Sequence, residues 1–181
     1  MRRRGATSKR YAKALVQLAL EGGRAEEVGQ ELQEALALLA SHRDLQNLLA
    51  RPWVKGTVKQ EVIAAVAERS GWSAPVKDFL ELLAARGRMD HLQEIVLAYQ
   101  GFVDEAFGRV RARVRTAVAL TDEDRRQISE HLSRALGKEV LVEEAVDRKL
   151  LGGFVAEIGS LVLDSSLNGQ LSRMRERLVK G

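Results

Sequence analysis

Through the first two-thirds of the chain, apolar residues recur every three or four positions. Tyr11, Ala14, Leu15, Leu18 and Ala19 define one helical face, and Gly22-Gly23 stops that helix. Val28, Leu32, Ala35, Leu36 and Leu39 give a second face. A short third segment holds Leu45, Leu48 and Leu49 and breaks at Arg51-Pro52, because proline disfavours helix at the residue before it. Thr57 and Gln60 have capping-box spacing at the head of a fourth helix carrying Val58, Val62, Ile63 and Val66, closed by Ser70-Gly71. Ser73 is placed to cap a fifth, with Pro75 in its first turn, Phe79, Leu82 and Leu83 inside, and Gly87 at its end. Asp90 is placed to cap a long sixth with Leu92, Ile95, Val96, Tyr99, Phe102 and Val103. Six short helices on short connections predict an antiparallel bundle.

At Gly108 the period changes to two. In GRVRARVRTAVAL, Val110, Ala112, Val114, Thr116 and Val118 alternate with Arg111, Arg113, Arg115 and Ala117, which predicts a strand with one basic face. Thr121 caps a helix holding Ile128, Leu132 and Leu136, and Gly137 ends it. Lys138 to Val146 reads as a second strand. Phe154 to Ile158 and Leu161 to Leu163 flank Gly159-Ser160, a hairpin signal, and a last helix with Leu171, Met174 and Leu178 starts at Asn168. The pattern thus predicts a mainly α chain of two domains: a six-helix bundle over 1–107 and a small α+β domain over 108–181.

Composition sharpens this reading. Aromatics are 4 % of the chain, so its cores must be built mainly from Ala, Leu and Val, which favours helix. The net charge is +4 with acids nearly matching bases, a mixed surface with a basic tilt. No cysteine is present, which excludes disulfides, thiolate catalysis and thiolate metal sites. No apolar run approaches the roughly 20 residues of a membrane span. The start has a basic head and an apolar stretch, but Lys13 and Gln17 interrupt that stretch and no small-x-small site follows. It reads as a mature N-terminus running into a helix.

Gly152-Gly153 lacks G-x-G-x-x-G spacing and leads into a strand, where a phosphate loop leads into a helix. Lys138 follows glycine as in a Walker loop, but Glu139 stands where Ser or Thr would hold magnesium. Asp164-Ser165-Ser166 has no histidine nearby, and Gly71-Trp72-Ser73-Ala74-Pro75 ends in proline where a nucleophile elbow needs glycine. His42, His91 and His131 lie on separate segments without a second ligand at metal spacing. No catalytic, cofactor or metal site is therefore expected. The arginine strand leaves one alternative open, a basic helical protein that binds nucleic acid.

Three stretches together carry a resemblance. RYAKALVQLALE (Arg10 to Glu21), FLELLAARGRMDHL (Phe79 to Leu92) and LLGGFVAEIGSLVLDSSLNGQLSRM (Leu150 to Met174) resemble, in order and spacing, the δ subunit of F-type ATP synthase, the oligomycin-sensitivity-conferring protein of mitochondria. The resemblance implies a non-catalytic stator subunit linking the catalytic head to the peripheral stalk, so that rotation is coupled to ATP synthesis. Its first domain would bind the amphipathic N-terminal helix of an α subunit in a groove between the first and fifth helices. On this chain the groove residues would be Tyr11, Ala14, Leu15, Leu18, Val76, Phe79, Leu80 and Leu83. Its second domain would contact the b subunit of the stalk. No nucleic acid is then a partner. Membrane contact is indirect, through a complex on the cytoplasmic face of a bacterial membrane.

The same resemblance makes the C-terminal stretch scaffold, with Gly152, Gly153, Gly159, Asp164, Ser166 and Leu171 as its structural residues. The chain departs from the family at Ser165, where glycine is usual; a positive φ there would cost serine on the order of 1 kcal/mol. It departs again at Asn168 and Gln170, where the family has basic residues, although Arg173, Arg175 and Arg177 lie close by.

Overall fold

The computed structural model describes residues 2–159 and 161–180, so the second residue of the expected Gly159-Ser160 hairpin tip lies outside the described residues. The chain divides into two compact units, Met1–Val103 and Asp104–Gly181.

The first unit is helical: α1 (Arg2–Glu21), α2 (Ala25–Ser41), α3 (Arg43–Ala50), α4 (Gly56–Ser70), α5 (Ala74–Ala85), a 3-10 turn (Met89–His91) and α6 (Leu92–Ala106), whose last turn runs past the division. One core joins them. It contains Leu15, Val28, Leu32, Ile63, Val76, Leu80, Leu83, Leu92, Ile95 and Tyr99, with alanines at close approaches. Each fully buried Leu or Ile contributes about 1.5–3 kcal/mol. Tyr99 is the largest wholly buried side chain among the described residues; its hydroxyl donates to the Ala25 carbonyl at 2.8 Å.

Three helix starts differ from the sequence reading. Helix α4 begins at Gly56, one residue before the expected Thr57 cap, and Lys55 takes the N-cap position with no side-chain bond. The cause is packing: a Cβ at Gly56 would lie 2.9 Å from the Ala85 carbonyl oxygen, so the backbone of this first turn sits directly on the end of α5. Ser73 holds the N-cap position of α5, but its hydroxyl donates to Glu31 of α2 at 2.5 Å, and a tertiary bond replaces the local cap. Asp90 does not cap α6; it lies inside the 3-10 turn that leads into it.

The second unit holds β1 (Arg109–Thr116), α7 (Asp122–Leu136), β2 (Glu139–Val146), β3 (Phe154–Ile158), β4 (Leu161–Asp164) and α8 (Leu167–Lys180). The sheet order is β2-β1-β3-β4, with β1 and β2 parallel and the other pairs antiparallel. A parallel pair needs a crossover, and α7 supplies it. Thr121 caps α7 through a full capping box with Asp124, and Gly137 ends it at φ 66°. Ala112, Val114, Leu132, Val140 and Ala156 form the core between α7 and the sheet.

Helix α8 starts one residue before Asn168. Ser166 is its cap: its hydroxyl accepts the Gly169 N–H at 3.0 Å and donates to Asp164 at 2.6 Å.

Candidate functional site: an apolar groove between the first and fifth helices

Helix α1 carries two apolar stripes side by side. Ser8, Ala12, Leu15, Val16 and Ala19 are buried in the core. Thr7, Tyr11, Ala14 and Leu18 follow the same three- and four-residue steps one position away; Thr7 and Tyr11 are half-buried, Tyr11 packing against the core's edge, and Ala14 and Leu18 are exposed. Leu18 is 63 % exposed, far more than a core leucine. Helix α5 repeats the arrangement: Val76, Phe79, Leu80, Leu83 and Ala84 face inward, while Pro75, Asp78 and Leu82 lie beside them.

Between these outer stripes runs a groove of about 880 Å³, lined among others by Tyr11, Ala14, Leu15, Leu18, Phe79 and Leu82. Tyr11 meets Phe79 edge-on, with ring centroids 6.2 Å apart at 71°. Arg88 lies over the Tyr11 ring at 5.6 Å and donates to its hydroxyl at 3.1 Å, which fixes the ring as one wall. Arg10 and Arg88 bring positive charge to the groove and Asp78 negative. Its floor is apolar.

The structure divides the expected set between groove and core. Tyr11, Ala14, Leu15, Leu18 and Phe79 do line the groove. Val76, Leu80 and Leu83 are fully buried in the core and present nothing to a partner. Leu82 takes the position expected of Leu83. One residue is about 100° of helix, so a one-position error moves a side chain from inside to outside. Thr7, Arg10, Ala74, Pro75, Asp78 and Arg88 were missed. The signal for the α1 members was present in the spacing Thr7, Tyr11, Ala14, Leu18.

The C-terminal glycine pair lies against the head of α8. Gly153 has φ 72°, and a Cβ on it would lie within 2.4 Å of the Ser165 carbonyl oxygen. Gly152 accepts the Leu167 N–H at 3.0 Å, and Asn168 accepts the Leu151 N–H at 3.1 Å. The glycine pair is thus clasped to the head of α8. No described non-glycine residue has positive φ, so Ser165 carries none of the left-handed strain considered above. Leu171 is 57 % exposed and belongs to the surface of this unit.

Three of the four arginines of β1 are engaged within their own unit. Arg109 pairs with Glu139 at 2.8 Å. Arg111 pairs with Asp104 at 2.5 Å and Glu143 at 3.1 Å, and Arg115 with Asp147 at 3.3 Å and Glu157 at 3.1 Å. Neighbouring strands supply three of these five acids, so much of the basic face seen in sequence is paired locally, while Arg113 is exposed. Hydrogen bonding to Asp104 raises the Arg111 pKa further. Among the described residues no group of acids and histidines could hold a metal ion, and no helix is long and apolar enough to cross a membrane.

Comparison with known proteins agrees with this picture. Residues 7–178 match the family model described as ATP synthase delta (OSCP) subunit. The ATP synthase subunit delta of Syntrophobacter fumaroxidans is 36 % identical over 174 residues, covering 96 % of this chain and 95 % of that protein. That of Geobacter metallireducens is 35 % identical over 176 residues, covering 97 % and 98 %. A chain in the Toxoplasma gondii mitochondrial ATP synthase hexamer shares the fold with a TM-score of 0.66 over 95 % of this chain and 97 % of its own, at 17 % identity.

Proposed function

Because the chain belongs to the ATP synthase delta (OSCP) subunit family, we propose that its groove seats the amphipathic N-terminal helix of an α subunit of the catalytic head. The chain is a non-catalytic stator subunit of F-type ATP synthase, placed between that head and the peripheral stalk. A part that resists torque has to be held at two places. Residues 1–107, as an antiparallel six-helix bundle, hold the head, and residues 108–181 hold the b subunit of the stalk. The complex meets the cytoplasmic face of a bacterial membrane, and this subunit touches the membrane only through it.

The second apolar stripe of α1 is the observation that carries this reading. Three side chains, Tyr11, Ala14 and Leu18, keep helical spacing and line the groove, Tyr11 half-buried at the core's edge and the other two exposed. They offer the anchor pattern a docked helix reads, and Ala14 allows close approach. For the stalk contact, the second unit exposes Val162 on β4 and Leu167, Leu171 and Met174 on α8.

The test is a calorimetric titration of the full chain with a peptide of the cognate α subunit's N-terminus. One site is expected, weakened at least about tenfold by Leu18→Glu or Leu82→Glu, since a charge would then face an apolar helix. Both residues are already exposed, so the melting temperature should hardly move. Binding that ignores both substitutions would overturn the groove assignment. Phe79→Asp is a poor probe, because Phe79 is 8 % exposed and the substitution would damage the core.

A further inference from the structure

A second cavity of about 470 Å³ lies where the α3–α4 connection meets the end of α5. No residue lining the α1–α5 groove lines it. Lys55, Lys59 and Arg86 line it, and none of the residues around it is acidic. Lys59 is 4 % exposed. Its ammonium donates to the Leu49 carbonyl at 2.6 Å, and no carboxylate pairs with it among the described residues. An ammonium has three donors, and a buried cation without a counter-charge is costly. At the mouth stands Trp53, 75 % exposed, with the Arg51 guanidinium 5.8 Å above its ring. Val54 and Ala85 give the wall an apolar part.

We propose that this cavity is a docking site for an acidic segment of a partner polypeptide, one glutamate or aspartate pairing with Lys59 while a neighbouring apolar side chain packs on Trp53. Charge complementarity selects the occupant: three cations and no anion line the site, and the most buried of them lacks a counter-ion. The exposed indole favours a polypeptide over a free anion, since phosphate would leave it uncovered. Exposed tryptophans and arginines of this kind are the usual anchors of protein interfaces. The site is separate from the α-helix groove, so the subunit can hold two chains at once. This goes beyond the proposed function and does not depend on it.

The experiment titrates the full chain at low salt into a fluorescein-labelled peptide of glutamates with interspersed leucines, read by fluorescence anisotropy. Saturable binding is expected. Trp53→Ala and the double variant Lys55→Gln/Arg86→Gln should each weaken it about three- to tenfold, and Lys59→Met by about tenfold or more. Leu18→Glu, in the groove, should leave it unchanged. The first two variants alter exposed side chains, so they report on binding even if Lys59→Met fails to fold. Three results would overturn the proposal: no binding, binding indifferent to Trp53, Lys55 and Arg86, or ATP or an RNA oligonucleotide competing more strongly than unlabelled peptide. In the second case Lys59 merely ties down the end of α3. In the third the cavity takes nucleotide phosphates and bases.

Discussion

Tyr99 carries the clearest single-residue consequence. Burial among α2 and α6 raises its pKa from 10.0 to about 12, because a phenolate there would lose its hydration. The unfolded chain ionises this group near pH 10 while the folded chain keeps it neutral. Its stabilising share is therefore complete below pH 10 and is lost as pH rises toward 12. Denaturant titrations across that window should show stability falling, and Tyr99→Phe should flatten the fall. At neutral pH the same substitution removes the bond to the Ala25 carbonyl and should cost about 1 kcal/mol. Gly153 gives a second residue-scale prediction. Alanine there meets both the left-handed φ and the Ser165 carbonyl, so Gly153→Ala should destabilise the chain by more than about 2 kcal/mol. Gly23→Ala has the same φ but open space around it, and should cost about 1 kcal/mol. Thermal melts of the pair separate strain from collision.

Among the elements, the start of α7 is fastened from outside. Glu144 of β2 accepts the Leu120 N–H at 2.8 Å and pairs with Arg125 at 2.9 Å. These contacts, the backbone bond first, hold its carboxyl below the usual carboxylate range. A depressed folded pKa gives stability that is present above the unfolded pKa and lost as pH falls through the folded one. Glu144→Gln should therefore soften the acid side of the stability profile and fray the first turn of α7, measurable as faster amide exchange at Arg125. Helix α1 shows how one element serves two purposes. Its inner stripe holds the core, and its outer stripe is left for a partner. Leu18→Glu should consequently separate binding from folding, whereas Leu15→Ala, at 2 % exposure, should cost about 2–5 kcal/mol and act through folding.

For the whole molecule, the two compact units predict a separable bundle. Residues 1–107, cut so that α6 stays complete, should unfold cooperatively and still bind the α-subunit peptide, while losing the stalk. A fragment without a cooperative melt would contradict the division of labour between the two units. The paired arginines give a further whole-molecule expectation. With Arg109, Arg111 and Arg115 bound to acids of their own unit, RNA should bind weakly even at low salt, and a filter-binding salt series checks this.

The order and type of the helices and strands are legible along the chain alone, because each apolar period is local. A 3.6-residue repeat names a helix and a two-residue repeat a strand wherever they pack. The Gly22-Gly23 and Gly137 stops and the Thr121 cap are legible too, because their chemistry is completed within a few residues. Which side of each element faces a neighbour emerges only when the elements pack together. Leu82 and Leu83 are alike in composition and differ by one step around the helix, yet one lines the groove and the other is sealed in the core. The same holds where a distant atom displaced a local signal, as Ala85 did at the start of α4 and Glu31 at Ser73. Likewise, Arg111 and Arg115 of the face that looks open are paired with acids up to 42 positions away, brought to them by the fold (Arg115 with Glu157). Local patterns fix the helices because their hydrogen bonds close within a turn, and they mark the strands through the alternation of adjacent side chains. Burial and charge pairing depend on residues far apart in the chain, and no period records them.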